Sequence, residues 1–214
     1  MADGLSSAIL NQDDPELVRE GLPSYLLLLD SLARANPDSP ATLSAAAQLY
    51  SAYGAALVDD PERAKLLTAR ARRYGRQALC ASRKSTCELE GIRFDRYVEI
   101  IQSTGKGDID ALYSYSLSSL VWIRANSDSL TAIADLPKIE IALEHLIALG
   151  AGEYEASTCM YRGILHSLRS PALGGKPDVA RDWVKRGIAL AQGRDMRIKV
   201  EYTRGCAGMI VSRE

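Results

Sequence analysis

Ser39-Pro40-Ala41-Thr42-Leu43-Ser44-Ala45-Ala46-Ala47-Gln48-Leu49-Tyr50-Ser51-Ala52-Tyr53-Gly54-Ala55-Ala56-Leu57 and, after Val58-Asp59, Asp60-Pro61-Glu62-Arg63-Ala64-Lys65-Leu66-Leu67-Thr68-Ala69-Arg70-Ala71-Arg72-Arg73-Tyr74-Gly75 decide the fold. Each half opens on a residue whose side-chain oxygen can cap free backbone N–H groups. A proline follows, whose missing N–H costs nothing in a first turn. Behind Ser39-Pro40, residues Leu43, Ala46, Ala47, Tyr50, Tyr53 and Leu57 recur at three-and-four spacing. That places them on one face of a helix of about 18 residues. Behind Asp60-Pro61, Ala64, Leu67, Ala71, Tyr74 and Ala78 repeat the spacing, while Arg63, Lys65, Arg70, Arg72 and Arg73 take much of the remaining surface. So short a connection requires an antiparallel hairpin.

The inner faces mix small residues (Ala46, Gly54, Ala71, Gly75) with tyrosine, so backbones can approach while the ring fills the space between turns. Tetratricopeptide-like hairpins pack in this way. A second hairpin of the same character carries Tyr154, Cys159, Tyr161, Gly163 and Leu165, then Pro177, Ala180, Val184, Gly187 and Ala191. Between them, residues 108–124 and 135–149 read as helices, the latter capped by Asp135, with Pro137 in its first turn, and stopped by Gly150. Asp14-Pro15 opens an N-terminal helix in which Gly21-Leu22-Pro23 predicts a break or kink. The following Tyr25 to Leu32 is apolar nearly all round and is expected to be buried on most sides. The fold class is therefore all-α, a tetratricopeptide-like array of antiparallel helical hairpins. Residues 1–12 form a tail or short helix and 13–214 a single domain. Met196, Ile198, Val200 and Tyr202 alternate with charged residues as a strand would. Helix is still expected there, because a lone strand would have unpaired edges.

Composition excludes several functions. With 214 residues, 47% of them hydrophobic, the chain can bury a continuous core. Its 26 basic and 27 acidic side chains balance, and no basic stripe exists to track phosphates, so nucleic acid is not expected. Apolar runs such as Leu26 to Leu29 are far shorter than the roughly 20 residues that cross a bilayer. Cys80, Cys87, Cys159 and Cys206 lack zinc spacing, and two histidines cannot complete a site, so no metal is expected. Cys80 and Cys87 bracket a polar stretch after a helix; in an oxidising compartment they can close a small loop, and otherwise they are two unlinked thiols.

Residues able to carry chemistry are sparse. Gly174-Gly175-Lys176 lacks the earlier glycine and the Ser or Thr of a phosphate loop, and no cofactor fingerprint occurs. His145 and His166 have no nucleophile at a telling spacing, and Asp13-Asp14 and Asp59-Asp60 sit where helix starts favour negative charge. No enzyme is expected. The mixed aromatic and hydroxyl run Leu112-Tyr113-Ser114-Tyr115-Ser116-Leu117-Ser118-Ser119, followed by Trp122 and Arg124, can line an amphiphilic groove. Lys199 and Tyr202 join Tyr113, Tyr115, Trp122 and Arg124 as the candidate ligand or partner groove, with Lys199 offering a cation to an acidic group.

The stretch Asp14-Pro15-Glu16-Leu17-Val18-Arg19-Glu20-Gly21-Leu22-Pro23-Ser24-Tyr25-Leu26-Leu27-Leu28-Leu29-Asp30 closely resembles the opening of TRAP transporter T-component proteins. In the same order, Ala47 to Tyr53, Trp122 to Asp128, Asp135 to Lys138, Ser170 to Gly175 and Lys199 to Tyr202 are similar to that family's pattern. The resemblance covers about residues 5 to 210. It implies a periplasmic accessory protein, often lipid-anchored through an N-terminal cysteine, with tetratricopeptide-like helices that associate with the transporter's solute-binding component. The groove near Tyr113, Trp122 and Tyr202 is expected to contact an apolar or acidic solute. The alternative is a generic scaffold that grips a peptide or an identical subunit. The chain departs from the family in three places. No lipidation cysteine stands near Met1, the family's last helix usually continues past Ser212-Arg213-Glu214, and Glu155-Ala156-Ser157-Thr158 replaces glycine-rich spacing.

Overall fold

In the computed structural model of the chain, residues 15–168 and 176–191 are described, and every regular element among them is helical. Helix α1 spans Pro15–Ala35, α2 Pro40–Ala56 and α3 Pro61–Ser82. Ser39 Oγ accepts the Thr42 N–H at 3.3 Å and Asp60 Oδ1 the Glu62 N–H at 3.0 Å. Each satisfies a donor that has no partner inside the first turn. A 3-10 turn at Lys84–Thr86 follows, then α4 (Phe94–Gln102), α5 (Ile109–Ala125), short α6 (Leu130–Ile133), α7 (Leu136–Leu149), α8 (Glu155–Leu168) and α9 (Pro177–Ala191). Gly150 ends α7 in the left-handed region at φ 73°, as its position predicts. Asp135 does not cap α7 with its side chain. Its backbone is helical and its carboxylate pairs with Lys138 at 3.2 Å. Asp14, residues 169–175 and the alternating stretch at 196–202 lie outside the described residues.

One expectation for α1 is overturned and another is narrowed to a kink. The helix does not break at Pro23 but runs from Pro15 to Ala35 with the proline inside it. Proline forfeits one backbone bond, while Leu22 and Leu26, 3% and 4% exposed, anchor the turns on either side. Nor is Tyr25 to Leu32 buried on most sides, for only Leu26 and Asp30 within it are buried.

The helices form two compact units. The described residues up to Glu88 together with Asp110–Ala125 make the first, and Leu89–Ile109 with the described residues from Asn126 onward make the second. In the first, α2 and α3 run antiparallel: Gly54 faces Leu67 and Thr68, while the Tyr50 ring lies 5.9 Å from that of Tyr74. Leu43, Ala46, Ala47, Tyr50, Tyr53, Ala71, Tyr74 and Ala78 are buried on the face the spacing predicts. Each large side chain there contributes roughly 1.5–3 kcal/mol. Helix α1 packs on α2 and is tied to α3 by Asp30, which accepts Arg70 Nη1 at 2.9 Å and Tyr74 Oη at 2.7 Å. Unpartnered, that buried carboxylate would cost several kcal/mol. Helix α5 approaches α3 at Gly75, where an added Cβ would stand 2.9 Å from the Ser114 carbonyl oxygen.

In the second unit α8 and α9 form the C-terminal hairpin, with α8 on α7 and α7 on α4. Gly187 lets α9 approach α8; a Cβ there would lie 2.8 Å from the Ala156 carbonyl oxygen. The Arg162 guanidinium sits 4.2 Å from the Trp183 ring centroid and pairs with Glu144.

Candidate functional site

Helix α1 carries two apolar faces. The inward one comprises Leu22, Leu26 and Ala33. On the outward one, Leu17, Gly21, Tyr25, Leu28 and Leu32 succeed one another at four-four-three-four spacing. At 3.6 residues per turn this keeps them within about a quarter of the circumference. Leu17, Tyr25, Leu28 and Leu32 are 55%, 41%, 52% and 42% exposed. Isolated exposed leucines are ordinary, but a contiguous row on one helix marks a surface that something covers. Covering it would be worth roughly 25 cal/mol per Å² of apolar area removed from water. Exposed Glu16, Glu20, Ser24 and Ser31 edge the row with polar groups.

The groove candidates on α5 occupy a different setting. Tyr113 and Tyr115 are buried at 4% and 6% exposure. Trp122 is half-buried beneath the Arg72 guanidinium, 3.9 Å from the ring centroid, and Arg124, two residues on, is half-buried as well. A cation over an indole face is attracted by the ring quadrupole. Three serines of the run bond to their own helix: Ser116 Oγ donates to the Leu112 carbonyl at 2.7 Å, Ser114 Oγ to that of Asp110 at 2.8 Å and Ser118 Oγ to that of Tyr115 at 3.2 Å. Ser114 Oγ also accepts Gln48 Nε2 at 2.9 Å, joining α5 to α2. Lys199 and Tyr202 lie outside the described residues.

Other reactive side chains lie within the helical packing. His145 Nε2 lies 3.0 Å from the Thr104 carbonyl, and His166 is buried 3.8 Å from Glu140. Cys80 and Cys87 are joined as a disulfide with Cα atoms 4.4 Å apart. Cys159 is a buried thiol whose pKa burial pushes up. Among the described residues no three His, Cys, Asp or Glu side chains converge as a metal site, and no helix is long and apolar enough to cross a membrane.

The sequence pattern that defines TRAP transporter T-components matches residues 11–214. The chain belongs to that family. No curated protein matches it. As a T-component it is an accessory of a TRAP transporter and a partner of that transporter's components. What distinguishes its surface is the outer row of α1, which composition could not locate: the leucines were visible, but not which of them the fold leaves uncovered.

Proposed function

We propose that this T-component is a periplasmic, lipid-anchored accessory protein that holds the solute-binding component of its transporter against the outer face of α1. The row Leu17, Gly21, Tyr25, Leu28 and Leu32 carries this reading, because it lies on a helix whose opposite face is already seated within its own unit. An amphipathic helix face of this kind is a recurrent docking element, with anchors at three-and-four spacing. Close helix approach at Gly54, Gly75, Gly163 and Gly187 supports the tetratricopeptide-like description of the hairpins. The protein acts by binding and not by catalysis. Trp122 and Arg124, with Lys199 and Tyr202, supply the proposed contact for an apolar or acidic solute.

Capture of the purified solute-binding component on immobilised T-component tests the docking face. Leu28→Glu with Leu32→Glu is expected to weaken capture at least about tenfold, since each change places a charge in a desolvated contact. Leu66→Glu, at a 74% exposed position of α3, is expected to leave it unchanged. Equal capture by all three proteins would refute the assignment of the face. Trp122→Ala probes the solute contact separately, through solute-dependent capture. Absent capture combined with concentration-dependent self-association would favour the scaffold that grips an identical subunit.

A further inference from the structure

The first unit also contains a half-open cavity of about 490 Å³, bounded by the C-terminal end of α1, the start of α2, the C-terminal half of α3 and the turn after it. Its volume is that of a small-molecule site. Four cationic side chains line it, Arg34, Arg70, Arg73 and Lys84, against two carboxylates, Asp30 and Asp38. The lining thus carries two positive charges in excess, in a chain whose overall charge is −1.

Asp30 neutralises Arg70, while Arg34 and Arg73 have no acidic partner among the described residues. Asp30 is 5% exposed and committed to Arg70 and Tyr74. Asp38 meets Lys84 only at 3.9 Å, with both side chains more than three-quarters exposed, so that solvent screens the pair. Arg34 makes no hydrogen bond or ion pair among the described residues. Arg73 has one contact among them, its guanidinium 5.6 Å from the Tyr74 ring centroid. Arg70 uses a single nitrogen, Nη1, for both Asp30 and Tyr50. Three guanidinium groups thus border one cavity with most of their N–H donors uncommitted among the described residues. Packed helices and a disulfide hold this arrangement. Cys80 lines the cavity, and its bond to Cys87 closes the loop that carries Lys84. Ala33, Pro37, Leu43 and Ala81 give the wall an apolar part, and Tyr74 and Gln77 complete it.

We propose that this cavity binds a small organic carboxylate, its anionic group gripped by Arg34 and Arg73 and its short hydrocarbon body against the apolar wall. Planar guanidinium forks match a carboxylate in two-point geometry, which an ammonium cannot do. Asp30 acts as a positioning residue: by holding Arg70 through Nη1 it leaves the rest of that guanidinium facing ligand or water. The site stands independently of the docking face, which uses the opposite residues of α1.

Calorimetric titration of the full chain with hexanoate, succinate and inorganic phosphate tests the proposal. At least one carboxylate is expected to bind one-to-one with a dissociation constant below about 1 mM. The double change Arg34→Gln, Arg73→Gln is expected to weaken it at least about tenfold. Arg34→Lys, which keeps the charge and removes the fork, should lose part of that affinity. Arg93→Gln, outside the cavity, should lose none. Both cavity arginines are exposed, so the variants are expected to keep the wild-type melting temperature. Three results would overturn the proposal: no carboxylate binding up to about 10 mM, affinity unchanged in the double variant, or phosphate binding as tightly as the carboxylates, which would reduce the cavity to unselective anion attraction.

Discussion

Replacing Gly75 by alanine tests the packing on which the first unit depends. An alanine Cβ at that position would lie 2.9 Å from the Ser114 carbonyl oxygen and 3.0 Å from the Tyr115 Cα, and would collide with Ser118 Oγ. Two of those atoms belong to the α5 backbone, and Ser118 is fully buried, so no flexible side-chain end can swing away. Overpacking of this kind costs about 1–3 kcal/mol. Alanine in a helix interior returns up to about 1 kcal/mol relative to glycine. The net expectation is a loss of about 1–2 kcal/mol, read as a lowered urea midpoint by circular dichroism with an unchanged slope. Gly21→Ala is the paired control: no heavy atom lies within 4 Å of its added Cβ, so only the propensity gain of up to about 1 kcal/mol remains. If Gly75→Ala proved as stable as Gly21→Ala, the close approach of α3 and α5 would be wrong.

Other consequences are open to measurement. Burial, and then the hydrogen bond to Asp30, push the Tyr74 phenol up from 10.0 to about 12. Because the folded value is the higher, its stabilising contribution is complete below pH 10 and is lost as pH rises through about 12. Ultraviolet titration of wild type against Tyr74→Phe should therefore remove a late-ionising tyrosine; a difference centred near 10 would contradict the network. Cys87→Ser opens the short loop between Cys80 and Cys87 and should cost about 2 kcal/mol by loop-closure entropy. An unchanged melting temperature after reduction would show that the bond constrains nothing. Cys159, buried and with its pKa raised chiefly by that burial, should resist iodoacetamide in the native protein and react on unfolding, as peptide mapping would report.

Helix starts were legible because capping is local. Ser39 and Asp60 lie within three residues of the N–H groups they satisfy. Helix α4 was not, since it is only nine residues long and Arg93 gives it no side-chain cap; Tyr97, Ile100 and Ile101 are its buried residues. The arginines of α3 misled in a different way. Read by periodicity, Arg70, Arg72 and Arg73 are a solvated surface, yet Arg70 binds buried Asp30 and Arg72 covers Trp122. Asp30 and Arg70 stand 40 residues apart, and no local pattern brings them together. The cavity was hidden for the same reason, because its cations come from α1, α3 and the turn beyond.

The sidedness of α1 shows where such reading stops. Its residues are apolar on two faces, so spacing alone allows either face to be the buried one, and the contiguous run Leu26 to Leu29 suggests burial all round. What separates the faces is a single polar residue. Asp30 lies on the side of Leu22, Leu26 and Ala33, and its bonds to Arg70 and Tyr74 can form only when that side faces α3. Half a turn of rotation would bury Leu28 and Leu32 at comparable apolar gain, but would carry the carboxylate into water and strip Arg70 and Tyr74 of their partner. The cost of that loss decides the orientation. The same carboxylate therefore keeps the outer row of leucines available to a partner and holds Arg70 at the edge of the cavity.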